Sequence, residues 1–427
     1  MAVLDSVKDR KGAAPAAPDR VAFNPFSPDF RRDPYPVYAA LRAREPVKRV
    51  VGSWLVSRHA DVLAVLRGRQ FSSSRIPELV RRRGGGLERA AAGDYGGIES
   101  FIAKAIVFTE NPDHARLRRL VNNVFDAGAV AAERPAIEAI ARELLAGPLA
   151  DGGMEALADF ADKLPMYLMC HRMGLPREMG PAMRDWAAGV RMLLDPTLMA
   201  PADFAGVEAA VREALAYLAG VVEDRKRRPG GDIISILLAN RDRDDRLSEQ
   251  EVALTCLMSF VAGHETTKHL IGNGISCLLR HPDQAERLRA DPALAAGATE
   301  EVLRYEPPLQ QTKRVAIDAA EIGGVGIREG EQVLLLLASA NRDEAVFADP
   351  DRFLVGRSDV QAHVGFGYGM RACLGGGLAN LEATVAFELL FGGNVRVEAA
   401  TENLEWQDGA VILRGLKRLP VRLSGRL

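Results

Sequence analysis

At 427 residues the chain is long enough for one large domain or two or three ordinary ones, and 48% hydrophobic residues supply a sizeable core. Acidic and basic residues nearly cancel, 57 against 55, which argues against a general nucleic-acid or membrane-surface binder. Cys170, Cys256, Cys277 and Cys373 form no CxxC pair, a usage that suits a reducing cytosol better than a disulfide framework.

The first residues are charged and lack the apolar stretch of a signal peptide, and no run approaches the roughly 20 apolar residues of a membrane helix. The expectation is a soluble cytoplasmic protein with no membrane anchor, with a flexible lead-in over 1–20 and a folded domain over 21–427. Asp33-Pro34-Tyr35-Pro36 opens a short helix ending near Arg44, followed by a hairpin of strands 47–51 and 54–57 turning at Gly52-Ser53, and a helix over 60–66. From 72 to 106 the pattern dissolves around Arg81-Arg82-Arg83-Gly84-Gly85-Gly86, which reads as a long lid or binding loop. Helices follow at 112–125, 131–149, 155–173, 178–194 and 202–226, broken at Gly152-Gly153, Gly174-Leu175-Pro176 and Pro229-Gly230-Gly231. Ser248 and Glu251 form a capping box for a very long helix to about 280. Beyond Arg304 the spacing predicts short strands at 313–317, 325–327, 333–337, 395–397, 411–413 and 420–423. There is no internal repeat and no central linker, so the fold class is mainly α with small β-sheets, in a single large domain.

The long helix is apolar on nearly every face, the mark of a helix buried through the middle of a protein. Its centre reads Ala262-Gly263-His264-Glu265-Thr266-Thr267. A buried acid and two hydroxyls cost free energy unless paired. Thr266 can bond back to the Ala262 carbonyl, and Gly263 has no side chain, so a local widening able to hold a diatomic ligand and a water is expected. The competing reading is a kinked core helix whose threonines satisfy themselves.

The second unusual stretch is His363-Val-Gly-Phe-Gly-Tyr-Gly-Met-Arg-Ala-Cys-Leu-Gly375, entering a helix over 378–390. Gly365, Gly367 and Gly369 permit a tight loop, and Cys373 sits just before a helix N-terminus, where N–H groups and the dipole favour a thiolate. Such a thiolate suits a haem iron ligand. A lone buried cysteine beside a glycine turn is the bland alternative.

The pattern Phe366-Gly367-x-Gly369-x-Arg371-x-Cys373-x-Gly375 resembles, position by position, the cysteine loop of the cytochrome P-450 family. Ala262 to Thr267 resembles that family's oxygen-binding helix, and the likeness runs in order from about Asp33 to the end of the chain. The resemblance implies the P-450 fold, with haem b (iron protoporphyrin IX) between the long helix and the cysteine loop. Cys373 would be the axial iron ligand, with Ala262, Gly263, Phe366 and Gly375 beside the cofactor. Thr266 would hydrogen-bond dioxygen or its water, and Glu265 would relay protons. Glu301 and Arg304, three apart on a helix, are by themselves a surface pair; the resemblance makes them, with Arg352, a buried charge network. It also places His114, Arg118, Arg314, His363 and Arg371 on the haem propionates, and Leu257, Met258, Val261, Leu309 and Val411 in the substrate pocket, with the 72–106 loop, the 192–201 turn and Gln310-Gln311-Thr312.

The implied activity is monooxygenation, by hydroxylation or epoxidation, of a fairly large, mainly apolar molecule such as a polyketide, terpenoid or fatty-acid derivative. Electrons would come from NAD(P)H through a ferredoxin reductase and ferredoxin to a monomeric enzyme. Arg67, Arg116 and Arg119 are candidates for the docking face. Two departures stand out: Gly376-Gly377 where alanine is usual, and Asn380 where the family often has arginine. Alternatives are a peroxide-driven oxygenase or isomerase on the same fold, and a non-catalytic haem gas sensor.

Overall fold

The apolar run predicted as the central helix folds as one helix, Glu249–Arg280, and most of its residues from Val252 to Leu278 are buried. Its start is fixed by the capping box: Glu251 N donates to Ser248 Oγ at 3.2 Å, and Ser248 N donates to Glu251 Oε2 at 2.8 Å. The computed structural model describes residues 20–73, 76–84, 96–196, 199–240, 245–409 and 411–427. The expected lead-in therefore lies outside the described residues except for Arg20, as do Gly85 and Gly86 of the Arg/Gly run.

Around the central helix pack Lys163–Arg172, Gly180–Arg191, Asp203–Arg227, Ala295–Tyr305 and Gly376–Phe391. Their apolar faces merge into one large buried cluster running from Val80 to Leu423. Burial of this kind is worth roughly 25 cal/mol per Å² of apolar surface and is the main force holding the helices together. The segment predicted as one helix over 155–173 is three elements. Gly153–Glu155 is a strand, Ala156–Ala161 is π-helical with Asp162 N bonded to Leu157 O at 2.8 Å, and only Lys163–Arg172 is α-helical. The stretch 72–106 is not simply a loop either: it holds helices Ile76–Arg83 and Ile98–Lys104. Arg81 pairs with Glu99 at 2.6 Å, and Arg83 donates to the carbonyls of Pro196 and Met199 at 3.1 Å each. Those partners anchor a short helix to distant parts of the chain.

Among the described residues ten short strands complete the fold: β1 Val47–Val50, β2 Ser53–Val56, β3 Phe71–Ser72, β4 Gly153–Glu155, β5 Thr312–Ala316, β6 Ala320–Ile322, β7 Val325–Ile327, β8 Gln332–Leu335, β9 Arg396–Ala399 and β10 Pro420–Ser424. One sheet runs β1-β2-β8-β5-β3, with β2 parallel to β8 (Leu55 beside Leu334) and the other pairs antiparallel. A second sheet is β4-β10-β9, and β6 pairs with β7 alone. The strand expected at 411–413 is instead a single bridge, Leu309 to Leu413. No helix among the described residues is long and apolar enough to cross a membrane.

Candidate active site

The cysteine loop is shaped by its glycines for two different reasons. Gly367 and Gly369 have φ of +71° and +72°, a region other residues enter only with strain. Gly365 is needed for space, because a Cβ there would lie 2.9 Å from the Leu303 carbonyl. Asn341 pins the loop to that helix, accepting from Val364 N at 2.8 Å and donating to Leu303 O at 3.1 Å. Cys373 N then donates to Phe366 O at 2.8 Å, closing the loop, with the Phe366 ring packed under Gly376. Gly375 has neither reason: its φ is −88° and a Cβ would meet nothing within 4 Å.

Cys373 is exposed, whereas Cys170, Cys256 and Cys277 are buried. Protein walls around the accessible sulfur push its thiol above the ordinary value; the Gly375 N–H and Arg118 pull it down without overcoming that burial. The loop alone therefore does not produce the thiolate expected from the helix N-terminus.

Four of the five residues assigned to the propionates gather beside this loop. Arg118 donates to the Ala372 carbonyl at 2.9 Å, and Arg371 pairs with Glu110 at 2.6 Å and bonds Thr109 O at 2.7 Å. Arg314 bonds only its neighbours, Lys313 O at 2.8 Å and Thr312 Oγ1 at 3.3 Å, and makes no ion pair among the described residues. Burial and the Arg371 charge bring Arg314 down to about 10, and burial with Arg371 and Arg118 brings His114 down to about 4. His114 is thus neutral at pH 7, a hydrogen-bonding group rather than a cation. Three arginines with one carboxylate leave an excess of positive charge in a poorly solvated place, which calls for anionic groups.

His363 does not join them. Its Nε2 meets Glu300 Oε2 at 2.5 Å and its Nδ1 accepts from Gly365 N at 3.0 Å, so both ring nitrogens are committed on the Ala295–Tyr305 side. Asn380, in place of an arginine, donates to the other Glu300 oxygen.

On the central helix Thr266 Oγ donates to the Ala262 carbonyl at 2.5 Å as expected, yet the helix stays α-helical across 262–267 and does not widen. The hydroxyl shares a carbonyl that the helix already uses, so no opening follows. A Cβ on Gly263 would meet Met169 Sδ at 3.6 Å, an ordinary contact. Ala262 is nonetheless exposed in the middle of a buried helix, which marks an internal space along this face. Glu265 Oε2 lies 2.5 Å from Arg191 Nε on the Gly180–Arg191 helix. Burial raises its carboxyl, but His269, Arg191 and His264 together hold it below the ordinary value.

The buried charge network is present with one member exchanged. Glu301 and Arg304 are fully buried and paired at 2.7 Å. Arg352 is not the third member: its side chain is 67% exposed against Asp349, and it contributes only its carbonyl, which accepts from Arg304 at 3.0 Å. Arg357, 3% exposed, takes that place, its Nε 3.1 Å from both Glu301 oxygens. The chain turns between the two arginines at Gly356, and that turn brings the later one inward.

The five proposed pocket residues are dispersed. Leu257, Met258 and Val261 are buried in the main core, Leu309 packs on the edge of a separate cluster under the five-stranded sheet, and Val411 is half-buried next to residue 410, outside the described residues. Gln310 is satisfied internally by Tyr38 and the Pro307 carbonyl. A cavity of about 30 Å³ lies elsewhere, lined by Ser72, Ile76, Leu79, Leu194, Pro196 and Arg314 among others. Sequence reasoning also missed Arg357, Arg191, Glu110 and Asn341. Only Arg357, an arginine five residues after the one chosen, left a signal.

An accessible sulfur, a cluster with surplus positive charge beside it, and an open space along the central helix together fit haem, with its iron and two carboxylates. Residues 198–392 match the family model described as cytochrome P450. The chain is 36% identical over 409 residues to the biotin biosynthesis cytochrome P450 of Bacillus subtilis, covering 94% of this chain and 99% of that one. It is 36% identical over 412 residues to the 6-deoxyerythronolide B hydroxylase of Saccharopolyspora erythraea, covering 93% and 98%. Among solved structures, P450BioI in complex with an acyl carrier protein ligated to hexadec-9Z-enoic acid superposes with a TM-score of 0.83 at 34% identity, covering 92% and 98%.

Proposed function

The chain belongs to the cytochrome P450 family and is a monooxygenase, and we propose that it hydroxylates or epoxidises a fairly large, mainly apolar small molecule of secondary metabolism. The substrate class is supported chiefly by what the relatives' names say they act on; the wall of the small cavity, where Ile76, Leu79, Leu194 and Pro196 stand beside Ser72, Ser73 and Arg314, has the same mixed character. Apolar walls with a few polar groups suit a polyketide or fatty-acid derivative carrying oxygen functions. The names of the relatives, a macrolide hydroxylase and a complex with an acyl-carrier-bound fatty acid, support the same class.

Cys373 would ligate the iron, with the Gly375 N–H on its sulfur, and Arg118, Arg314, Arg371 and His114 would take the propionates. When bound, haem supplies the reductive cleavage of O2 that sends one atom to substrate and the other to water. Thr266, on the face that Ala262 exposes, gives its proton to the Ala262 carbonyl and would offer its hydroxyl oxygen to water or dioxygen at the oxygen site, and Glu265 moves protons in from the Arg191 side. Glu301, Arg304 and Arg357 keep the cysteine loop in place from beneath. Two electrons come from NAD(P)H through ferredoxin reductase and ferredoxin.

The reduced, CO-saturated absorption spectrum of wild type and Cys373→Ala tests the ligand assignment. A strongly red-shifted Soret band in wild type, absent from the variant, is expected; a band like that of histidine-ligated haem in both would refute it. Screening polyketides and fatty acids by spin-state shift tests the substrate class, which fails if only small, highly polar compounds bind. Product with peroxide but none with ferredoxin and NADPH would replace the reading with a peroxide-driven oxygenase.

A further inference from the structure

One buried group beside the proton path has no partner. His269, a turn beyond Glu265 on the central helix, has a side chain with no exposure, and neither ring nitrogen is hydrogen-bonded among the described residues. Buried polar side chains are nearly always satisfied, so an orphaned imidazole in the core calls for an explanation. Its Nε2 lies 3.9 Å from Glu265 Oε1, too far for a hydrogen bond but closable by a small side-chain rotation. On the other side the backbone of Gly415 presses on the ring: a Cβ there would fall 1.9 Å from Nδ1, so the imidazole cannot retreat.

The neighbouring charges turn elsewhere. Lys268 pairs with Asp162 at 2.7 Å, and the His264 ring meets the Asp162 carbonyl at 3.1 Å. Arg414, beside Gly415, is committed to Glu306 and to the carbonyls of Arg31 and Arg32. Glu265 is the charged group that His269 faces, and it sits between a permanent cation, Arg191, and this titratable ring.

We propose that His269 is a positioning residue for the reaction, holding Oε1 of Glu265 in the core while Arg191 holds Oε2, and so controlling when that carboxylate takes a proton. Once rotated onto Oε1, the ring would give that oxygen an N–H donor beside the Arg191 charge on Oε2, and a donor to the charged form delays protonation of the acid. The proposal rests on Glu265 being the proton relay.

The test uses haem-loaded protein with carbon-13-labelled glutamate, the Glu265 carboxyl band being identified in infrared spectra by its loss in Glu265→Gln. In His269→Phe the Glu265 titration midpoint is expected to move up by about one pH unit or more, since a lost cation or donor within 4–6 Å has that effect. The pH profile of product formation should move with it, and His269→Asn, which keeps an N–H donor, should recover the neutral-pH rate. An unmoved midpoint in both folded variants overturns the proposal. If Glu265→Gln slows product formation and the His269 variants do not, the relay stands and only this inference falls; if Glu265→Gln leaves rate and solvent isotope effect unchanged, the relay falls and takes the inference with it. Should the His269 variants not fold, nitrogen-15 spectra of labelled histidine decide: the His269 ring resonances must shift when Glu265→Gln removes the carboxylate, and unchanged resonances refute the coupling.

Discussion

Replacing Arg357 by alanine removes a guanidinium that bonds both Glu301 oxygens at 3.1 Å, the Ala348 carbonyl at 2.5 Å, the Asp349 carbonyl at 3.1 Å and the Arg352 carbonyl at 2.8 Å. Glu301 keeps Arg304 and the Leu354 N–H, but it is left as a fully buried carboxylate with half its positive charge gone. Breaking one partner of such a network costs about 3–5 kcal/mol, a large share of a stability of roughly 5–15 kcal/mol. Arg352→Ala keeps the carbonyl that Arg304 and Arg357 use and deletes only a solvent-screened pair, so it should stay within about 0.5 kcal/mol. Urea unfolding of the haem-loaded proteins, followed by both far-ultraviolet dichroism and the Soret band, separates the two. The midpoint for Arg357→Ala is expected to fall by at least about 1 M while that of Arg352→Ala stays at wild type. Equal losses in both, or a loss confined to Arg352→Ala, would refute the placement of the network.

Stability should depend on pH through His114, whose folded-state value of about 4 lies below its ordinary 6.5. Below pH 6.5 the unfolded chain binds a proton that the folded chain refuses, so the apoprotein loses about 3 kcal/mol between pH 6.5 and 4. Thermal melts of His114→Asn should lack that slope, and bound haem should flatten it; an unchanged slope in the variant would count against the assignment. Thr266→Val keeps the shape of the side chain and deletes its hydroxyl, so the fold should hold while the rate of product formation drops by roughly 10²-fold, and product still matching NADPH consumption would remove Thr266 from the proton path. Among the loop glycines, Gly375→Ala should be tolerated or stabilise by about 0.4–1 kcal/mol, whereas Gly367→Ala, at φ +71°, should cost about 1–2 kcal/mol. Melting temperatures of the two holoproteins rank them, and the reverse order would contradict the loop geometry.

What the sequence made legible was carried by local rules. The capping box of Ser248 and Glu251 and the hairpin at Gly52-Ser53 act over a few residues, and the long helix and the two strands stand within a residue or two of where the pattern puts them. What was not legible depended on distant partners. β3 exists because Phe71 pairs with Ala316, and β4 because Gly153 pairs with Arg422. The helix Ile76–Arg83 is placed by Glu99, Pro196 and Met199, partners that its own sequence does not name. The site divides the same way. Glu265 and Thr266 are marked by residue types that a core does not ordinarily tolerate and Cys373 by the glycine-rich loop around it, while choosing Arg357 over Arg352, or seeing Glu300 capture His363, requires knowing which way the chain turns.

The parallel pairing of β2 with β8 also sets an order of events during synthesis. The hairpin of β1 and β2 leaves the ribosome early, but the strand that covers its inner edge is made only after the helices up to Tyr305, with Gly376–Phe391 still to come. At roughly 5–20 residues per second that interval is on the order of tens of seconds, during which Ser53–Val56 presents unpaired backbone to any other nascent chain. The helices of the middle region can gather meanwhile, since their contacts lie close in sequence. The sheet, and with it the seat of Arg314, is finished from both ends of the chain at once, and Cys373 emerges later still. Haem capture is therefore a closing act of folding, and a chain stalled before β8 would be left with an open strand edge and no cofactor to repair it.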